Sequence, residues 1–132
     1  MSNVNAVLGY SLVGVNNAQN QTPVNISIQG VTLGCTAFYY DQYFQVGTSV
    51  TTAQLPATTV WVAYARNLGS NVVTLTYTLS VGGTGTVPLS PVTNGFGGVW
   101  AIFETTESGA GITAVTLQAT GSTTPVELAF GY

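Results

Sequence analysis

Apolar and polar residues alternate along much of the chain. Val24, Ile26 and Ile28 share one parity while Asn25, Ser27 and Gln29 take the other, and Val73, Leu75, Tyr77 and Leu79 alternate in the same way with Thr74, Thr76 and Thr78. A period of two sends successive side chains to opposite sides of a pleated strand, so both segments predict strands with one buried and one polar face. Along the whole chain the pattern predicts strands near 5–15, 23–33, 35–46, 59–67, 71–81, 85–89, 97–104, 112–120 and 124–131. The clusters between them, NNAQNQ, NLGSN, VGGTG, SPVTNGFGG, ESGAG and TGSTTP, are rich in residues that turn a backbone. Eight or nine short strands with frequent turns predict an all-β fold, an antiparallel β-sandwich or jelly roll. TPVNISI at 22–28 and TPVELAF at 124–130 share an opening in which proline fixes φ before the ladder begins. No shift in composition divides the chain, so residues 1–132 read as a single β-sandwich domain.

Composition changes the picture chiefly through what is missing. The 132 residues suffice for one core that buries about two thirds of the extended chain's surface. Only 4% of them are charged, the formal net charge is −3, and Arg66 is the single cationic side chain. Mean hydropathy is +0.38, yet no apolar run approaches the roughly 18 to 20 residues of a membrane-spanning helix. The start of the chain, MSNVNAVLGY, lacks the basic and apolar regions of a secretory signal, which predicts a product of the cytoplasm. The sequons at Asn20 and Asn25 then carry no sugar. One cysteine, Cys35, cannot form a disulfide within the chain and reads as a small buried hydrophobe, with a bridge between chains as the alternative.

The same absences exclude most catalysis. Acid-base and nucleophilic chemistry near neutral pH draws on histidine or lysine, and the chain has neither. Asp41, Glu104, Glu107 and Glu127 could supply the carboxylate pair of a glycosidase, but Glu107 falls in a predicted turn and Glu127 on the polar side of a predicted strand. One Cys without His makes a poor zinc set, and ETTESGAG lacks the acid spacing of a calcium loop. A single arginine cannot displace the counterions of duplex nucleic acid. VGGTGTV, with no helix after it and no lysine, reads as a hairpin turn rather than a phosphate cradle. Arg66 is expected at a strand end, paired with one of the four acids or with loop carbonyls. The chain is therefore read as non-enzymatic, with no cofactor, metal or catalytic residue.

Aromatic residues are the remaining signal. Phe38, Tyr39, Tyr40, Tyr43 and Phe44 crowd into seven positions, so a strand through them presents rings on both faces. One set can fill the core and the other must be covered or exposed. Tyr39, Tyr40, Tyr43 and Phe44 are the candidate residues of a subunit or capsid interface, and Tyr39, Tyr40 and Tyr43 of a sugar-stacking platform. Trp61 and Trp100 read as core or interface. Lysine, the usual guard of strand edges, is absent, and low net charge weakens repulsion between copies. Such a chain suits a subunit whose edges are covered by neighbours.

The C-terminal two thirds, in YARNLGSNVVTLTYTLSVGGTGTVPLSP, GAGITAVTLQATGS and TPVELAFGY, resembles small β-rich virion proteins of tailed bacteriophages. The match lies at Arg66-Asn67, Gly69-Ser70-Asn71, Gly111 to Leu117 and Pro125-Val126-Glu127. The resemblance implies a structural virion protein of the head decoration or cement kind, without a catalytic residue. Its expected partners are its own copies, a trimer being favoured by capsid symmetry, and a major capsid protein, with no role for nucleic acid or membrane. Its expected location is the virion, assembled in the host cytoplasm. A carbohydrate-binding module and a tail or spike component are the alternatives.

Overall fold

The computed structural model describes residues 4–14, 24–35, 37–103 and 111–132. Glu104 and Glu107 lie outside the described residues, as do the sequon at Asn20 and the predicted ESGAG turn up to Ala110. Ten strands follow in chain order: β1 (Val4–Gly14), β2 (Val24–Cys35), β3 (Phe38–Val46), β4 (Thr51–Thr52), β5 (Val62–Asn67), β6 (Val73–Leu79), β7 (Thr84–Leu89), β8 (Val99–Phe103), β9 (Ile112–Ala119) and β10 (Thr124–Gly131). Among the described residues there is no helix. The fold is an all-β, antiparallel sandwich.

Eight strands form its two four-stranded sheets, ordered β3-β10-β5-β8 and β4-β9-β6-β7, and β1 pairs with β2 alone. Within the sandwich the pairing is nested: β6 with β7, β5 with β8, β4 with β9, and β3 with β10. The chain thus folds back on itself about the β6–β7 hairpin, and this doubled ribbon wraps so that alternate pairs fall in opposite sheets.

Between the sheets, Val46, Ala63, Ala65, Val126, Leu128 and Phe130 of the first pack with Val73, Leu75, Leu89, Val115 and Leu117 of the second. All are buried; alternation along β5, β6, β9 and β10 supplies nine of them, and the last residues of β3 and β7 the other two. Trp100 is buried and stacks on Tyr77 with ring centroids 5.3 Å apart. Gly85 lies against the same Tyr77 ring, where a Cβ would have no room.

Most expected bounds shift by one or two residues, and three differences matter more. Cys35 closes β2 rather than opening β3, which begins at Phe38. Residues 59–61 precede β5, with Val60 bridged singly to Ile112. The two-residue β4 was not foreseen, since Thr51–Thr52 is too short for a periodic signal.

The turn NLGSN is built around Asn67, a fully buried polar residue. Its amide donates to the Asn71 and Leu89 carbonyls at 2.7 and 3.0 Å, and its Oδ1 accepts from the Gly69 amide at 2.9 Å. Asn71 in turn donates to Ser122 Oγ and Thr124 Oγ1. A Cβ on Gly69 would collide with Thr124 and Pro125. The Arg-Asn, Gly-Ser-Asn and Pro-Val-Glu segments therefore meet at one corner of the sandwich, where their shared job is to hold three turns together.

Candidate functional site

The two outer faces of the sandwich differ. On the second sheet, register aligns Thr52, Thr116, Thr76 and Thr86 across all four strands, with Thr78 beside Thr84 in the next row. Thr76 and Thr86 hydroxyls lie 3.3 Å apart. This face is polar and uncharged, the residue type that favours strands without repelling water.

On the first sheet, β5 turns Ala63, Ala65 and Asn67 inward, leaving Val62, Tyr64 and Arg66 outside. Their partners on β10 are Gly131, Ala129 and Glu127, and on β8 Phe103, Ala101 and Val99. Tyr40 of β3 opposes Ala129. Tyr40, Tyr43, Phe96 and Val99 are 54, 60, 61 and 43% exposed.

Tyr43 reaches this face through a bulge. Register steps from Asp41 opposite Leu128 to Phe44 opposite Val126, so Gln42 and Tyr43 together face Glu127. Asp41 Oδ1 accepts the Tyr43 backbone N–H at 3.0 Å, satisfying the donor that the bulge releases. The bulge also keeps both Tyr39 and Phe44 packed against the core, although their parities differ, and Tyr39 stacks on Phe130 at 6.3 Å. Of the four aromatic residues proposed from sequence, Tyr40 and Tyr43 are therefore exposed, while Tyr39 and Phe44 are turned to the core and offer little surface.

Glu127 organises the polar centre of the face. Tyr40 donates to its Oε2 at 2.6 Å and Tyr64 to its Oε1 at 2.9 Å. Arg66 Nε lies 3.3 Å from Oε1, an ion pair whose N–H is out of line for a hydrogen bond. The guanidinium carbon stands 5.6 Å from the Phe96 ring centroid, within cation–π range. Arg66 is thus held between a carboxylate and a ring, and of the two partners expected from sequence it takes the acid.

These contacts shift the titrations. Burial pushes the Tyr64 hydroxyl up to about 12, helped by its bond to Glu127 and that carboxylate's charge. The bond to Glu127 is the main cause of the rise at Tyr40. At Glu127 burial acts upward, but the two tyrosine bonds and the Arg66 charge outweigh it and hold the carboxyl below its ordinary value. An ionised Glu127 accepting two hydroxyl protons is a structural centre.

Phe96 and Tyr64 were missed by sequence reasoning. Tyr64 is embedded in the apolar run before Arg66, and Phe96 in the turn cluster SPVTNGFGG. The signal for Phe96 was the Asn-Gly pair before it: Asn94 and Gly95 have φ of 55° and 81°, and Thr93 and Phe96 exchange both backbone bonds across them. That two-residue hairpin loop holds Phe96 out over Arg66.

Trp100 lies in the main core and Trp61 is half-buried beside Cys35 and Val62, so neither is an exposed platform. Among the described residues, no three His, Cys, Asp or Glu side chains are gathered to hold a metal. No protein-family model, no curated protein and no solved structure matches this chain.

Proposed function

We propose that this chain is a non-enzymatic structural subunit of a tailed-phage virion, a head decoration or cement protein that binds the outer capsid surface. The observation that carries the proposal is the contrast between the two outer faces. The first sheet presents Tyr40, Tyr43, Phe96 and Val99 around a neutralised Arg66–Glu127 pair, whereas the second presents threonines. Tyr, Phe and Arg are the residue types enriched at protein interfaces, and lysine is depleted there. A subunit in a layer needs one side that adheres and one that faces water.

The nested pairing supports the reading, because it is how a jelly roll is wound, an architecture used by viral capsid domains. The same architecture serves lectin domains, so the fold alone does not choose. The resemblance to phage virion proteins favours the virion. The proposed action is adhesive: aromatic surface is buried against copies of the chain and the shell, tying neighbouring capsomers together. A trimer matches the local symmetry of a shell.

The test is co-sedimentation with empty tailed-phage capsids assembled without their decoration protein. Saturable binding, weakened at least tenfold by Tyr40→Ala with Tyr43→Ala, is the expected result. No binding to any such shell refutes the assignment. A carbohydrate-binding module is the second reading, favoured by the exposed rings of Tyr40 and Tyr43 beside the Glu127 acceptor. A glycan array on which the chain binds, and the Tyr43→Ala variant does not, selects that reading instead.

A further inference from the structure

Of the strands that end the two sheets of the sandwich, β8 is unlike the rest. The edge strand β3 carries a bulge and Asp41, β7 carries Pro88, and β4 has only two residues. Each feature spoils an edge as a template for another strand. Strand β8, Val-Trp-Ala-Ile-Phe, has no charge, proline or glycine, and among the described residues it pairs with β5 alone.

The phase of that pairing shows which backbone groups β8 leaves over. The Asn67 N–H donates to the Gly98 carbonyl at 3.0 Å, and Arg66 opposes Val99 one position on. Bonded and non-bonded pairs alternate along an antiparallel ladder, so Trp100 and Ile102 bond to β5 while Val99, Ala101 and Phe103 turn their N–H and C=O groups away from it. Among the described residues, the outward groups of Val99 and Ala101 have no hydrogen-bond partner. Both residues are exposed.

We infer that β8 of one copy pairs antiparallel with β8 of a second copy about a two-fold axis at Ala101, joining their first sheets into one continuous sheet. The register follows from the phase. Outward groups meet in hydrogen-bonded pairs, and the whole strand overlaps only where Ala101 opposes its own counterpart and Val99 opposes Phe103. The smallest residue of the strand then sits on the axis, and no charge in β8 meets another. A second copy is the occupant because β8 is its own complement in this register. With the other three sandwich edges guarded, the contact is isologous and closes at two chains instead of running on as a filament. Opposed residues of antiparallel strands share a face, so the axis stands perpendicular to the sheet. Both copies therefore present Tyr40, Tyr43 and Phe96 on one side and their threonines on the other. Such a dimer engages a surface through two aromatic faces at once, which strengthens attachment without any new kind of contact. The inference stands apart from the virion reading, and it makes the free protein a dimer where shell symmetry alone favours a trimer.

The experiment is light scattering over a dilution series on the full chain, on Ala101→Pro and on Tyr43→Ala, together with air oxidation of Ala101→Cys and, separately, of Tyr43→Cys. The full chain is expected at the mass of two chains. Ala101→Pro is expected at the mass of one, with the far-ultraviolet dichroism of the sandwich retained, because the N–H it removes points away from β5 and proline is accepted at such edge positions. Tyr43→Ala is expected to keep the dimer, since β3 lies at the opposite edge of the sheet. A hydrogen-bonded pair holds its Cα atoms about 5.5 Å apart, within the roughly 4.4–6.8 Å that a disulfide spans, so Ala101→Cys is expected to form a covalent dimer and Tyr43→Cys is not. The oxidised parent, whose Cys35 is buried, is the blank. Ala101→Cys changes one small exposed residue, so it folds and decides the matter even where Ala101→Pro does not fold. A full chain at the mass of one or three chains, a folded Ala101→Pro with the mass of the parent, or Ala101→Cys that cross-links no faster than Tyr43→Cys overturns the inference. A monomer that binds capsids leaves the virion reading standing while this one fails; a dimer joined at β8 that binds no capsid does the reverse.

Discussion

Asn67 and Arg66 are neighbours with opposite tasks. Asn67 is buried with both ends of its amide satisfied, so Asn67→Ala leaves the Gly69 N–H and two carbonyls, that of Leu89 in a buried bond, without this partner. A loss of about 2–3 kcal/mol in urea unfolding is expected. Arg66 faces outward, and both it and Glu127 are partly exposed. Glu127→Gln keeps an acceptor for the tyrosines but removes the charge; the expected cost is about 1 kcal/mol after allowance for solvent screening. The pH profile follows from the same cluster. With its pKa held down in the fold, Glu127 contributes stability that is present above the ordinary carboxylate range and lost on acidification past it. Tyr64 acts at the other end: its pKa rises from 10.0 to about 12, so its contribution is complete below pH 10 and is lost as pH climbs to about 12. Melting temperature against pH is expected to fall over that alkaline interval in the parent and more gently in Tyr64→Phe. An equal fall in both removes Tyr64 as the cause.

At the scale of elements, edges decide how the sandwich meets its neighbours. The edge strand β3 carries a bulge and Asp41, β7 carries Pro88, and β4 has only two residues. These are devices that discourage edge pairing without lysine, and among the described residues β8 is the sandwich edge that lacks one. The absence of lysine noted in the sequence is thus offset at three of the four sandwich edges. Side-chain placement also turned on elements. Alternation in FYYDQYFQV showed that rings face both ways, but the bulge at Gln42–Tyr43 determined which, and a bulge has no periodic signature. The seat of the β1–β2 pair can be probed at Gly131, where a Cβ would press on Cys35 Sγ and the Phe38 ring, both at 2.8 Å. Gly131→Ala is expected to cost about 1–3 kcal/mol, read by thermal unfolding, with β2 losing amide protection before β5 and β10. Uniform loss of protection across the three strands would place the strain in the sandwich instead.

For the whole molecule, nested pairing brings residues from far apart in the chain together: Phe38 of β3 opposes Gly131 of β10, and only β6–β7 closes through a short turn. Contacts of such high sequence separation slow folding, since loop entropy is lost before the pairing that rewards it forms. Refolding in the range of milliseconds to seconds is expected by stopped-flow fluorescence, with buried Trp100 as the probe. A microsecond phase carrying the full amplitude contradicts that expectation. The polarity of the molecule, threonines on one side and aromatic rings on the other, also exists only at this scale. Each strand shows an alternation, and only their stacking makes two unlike faces.

The sequence by itself determined the class of fold and nearly every strand, because period-two alternation and turn residues are local signals and most strands carry them. It also narrowed Arg66 to an acid or loop carbonyls as its partner, and it showed that histidine and lysine are absent. The tertiary structure alone decided which acid that was, which rings lie outside, and how the sheets are ordered. Those outcomes depend on register, and register is set by bulges and by partners distant in the chain, Glu127 lying opposite Arg66 across a β10–β5 pairing that no local pattern encodes.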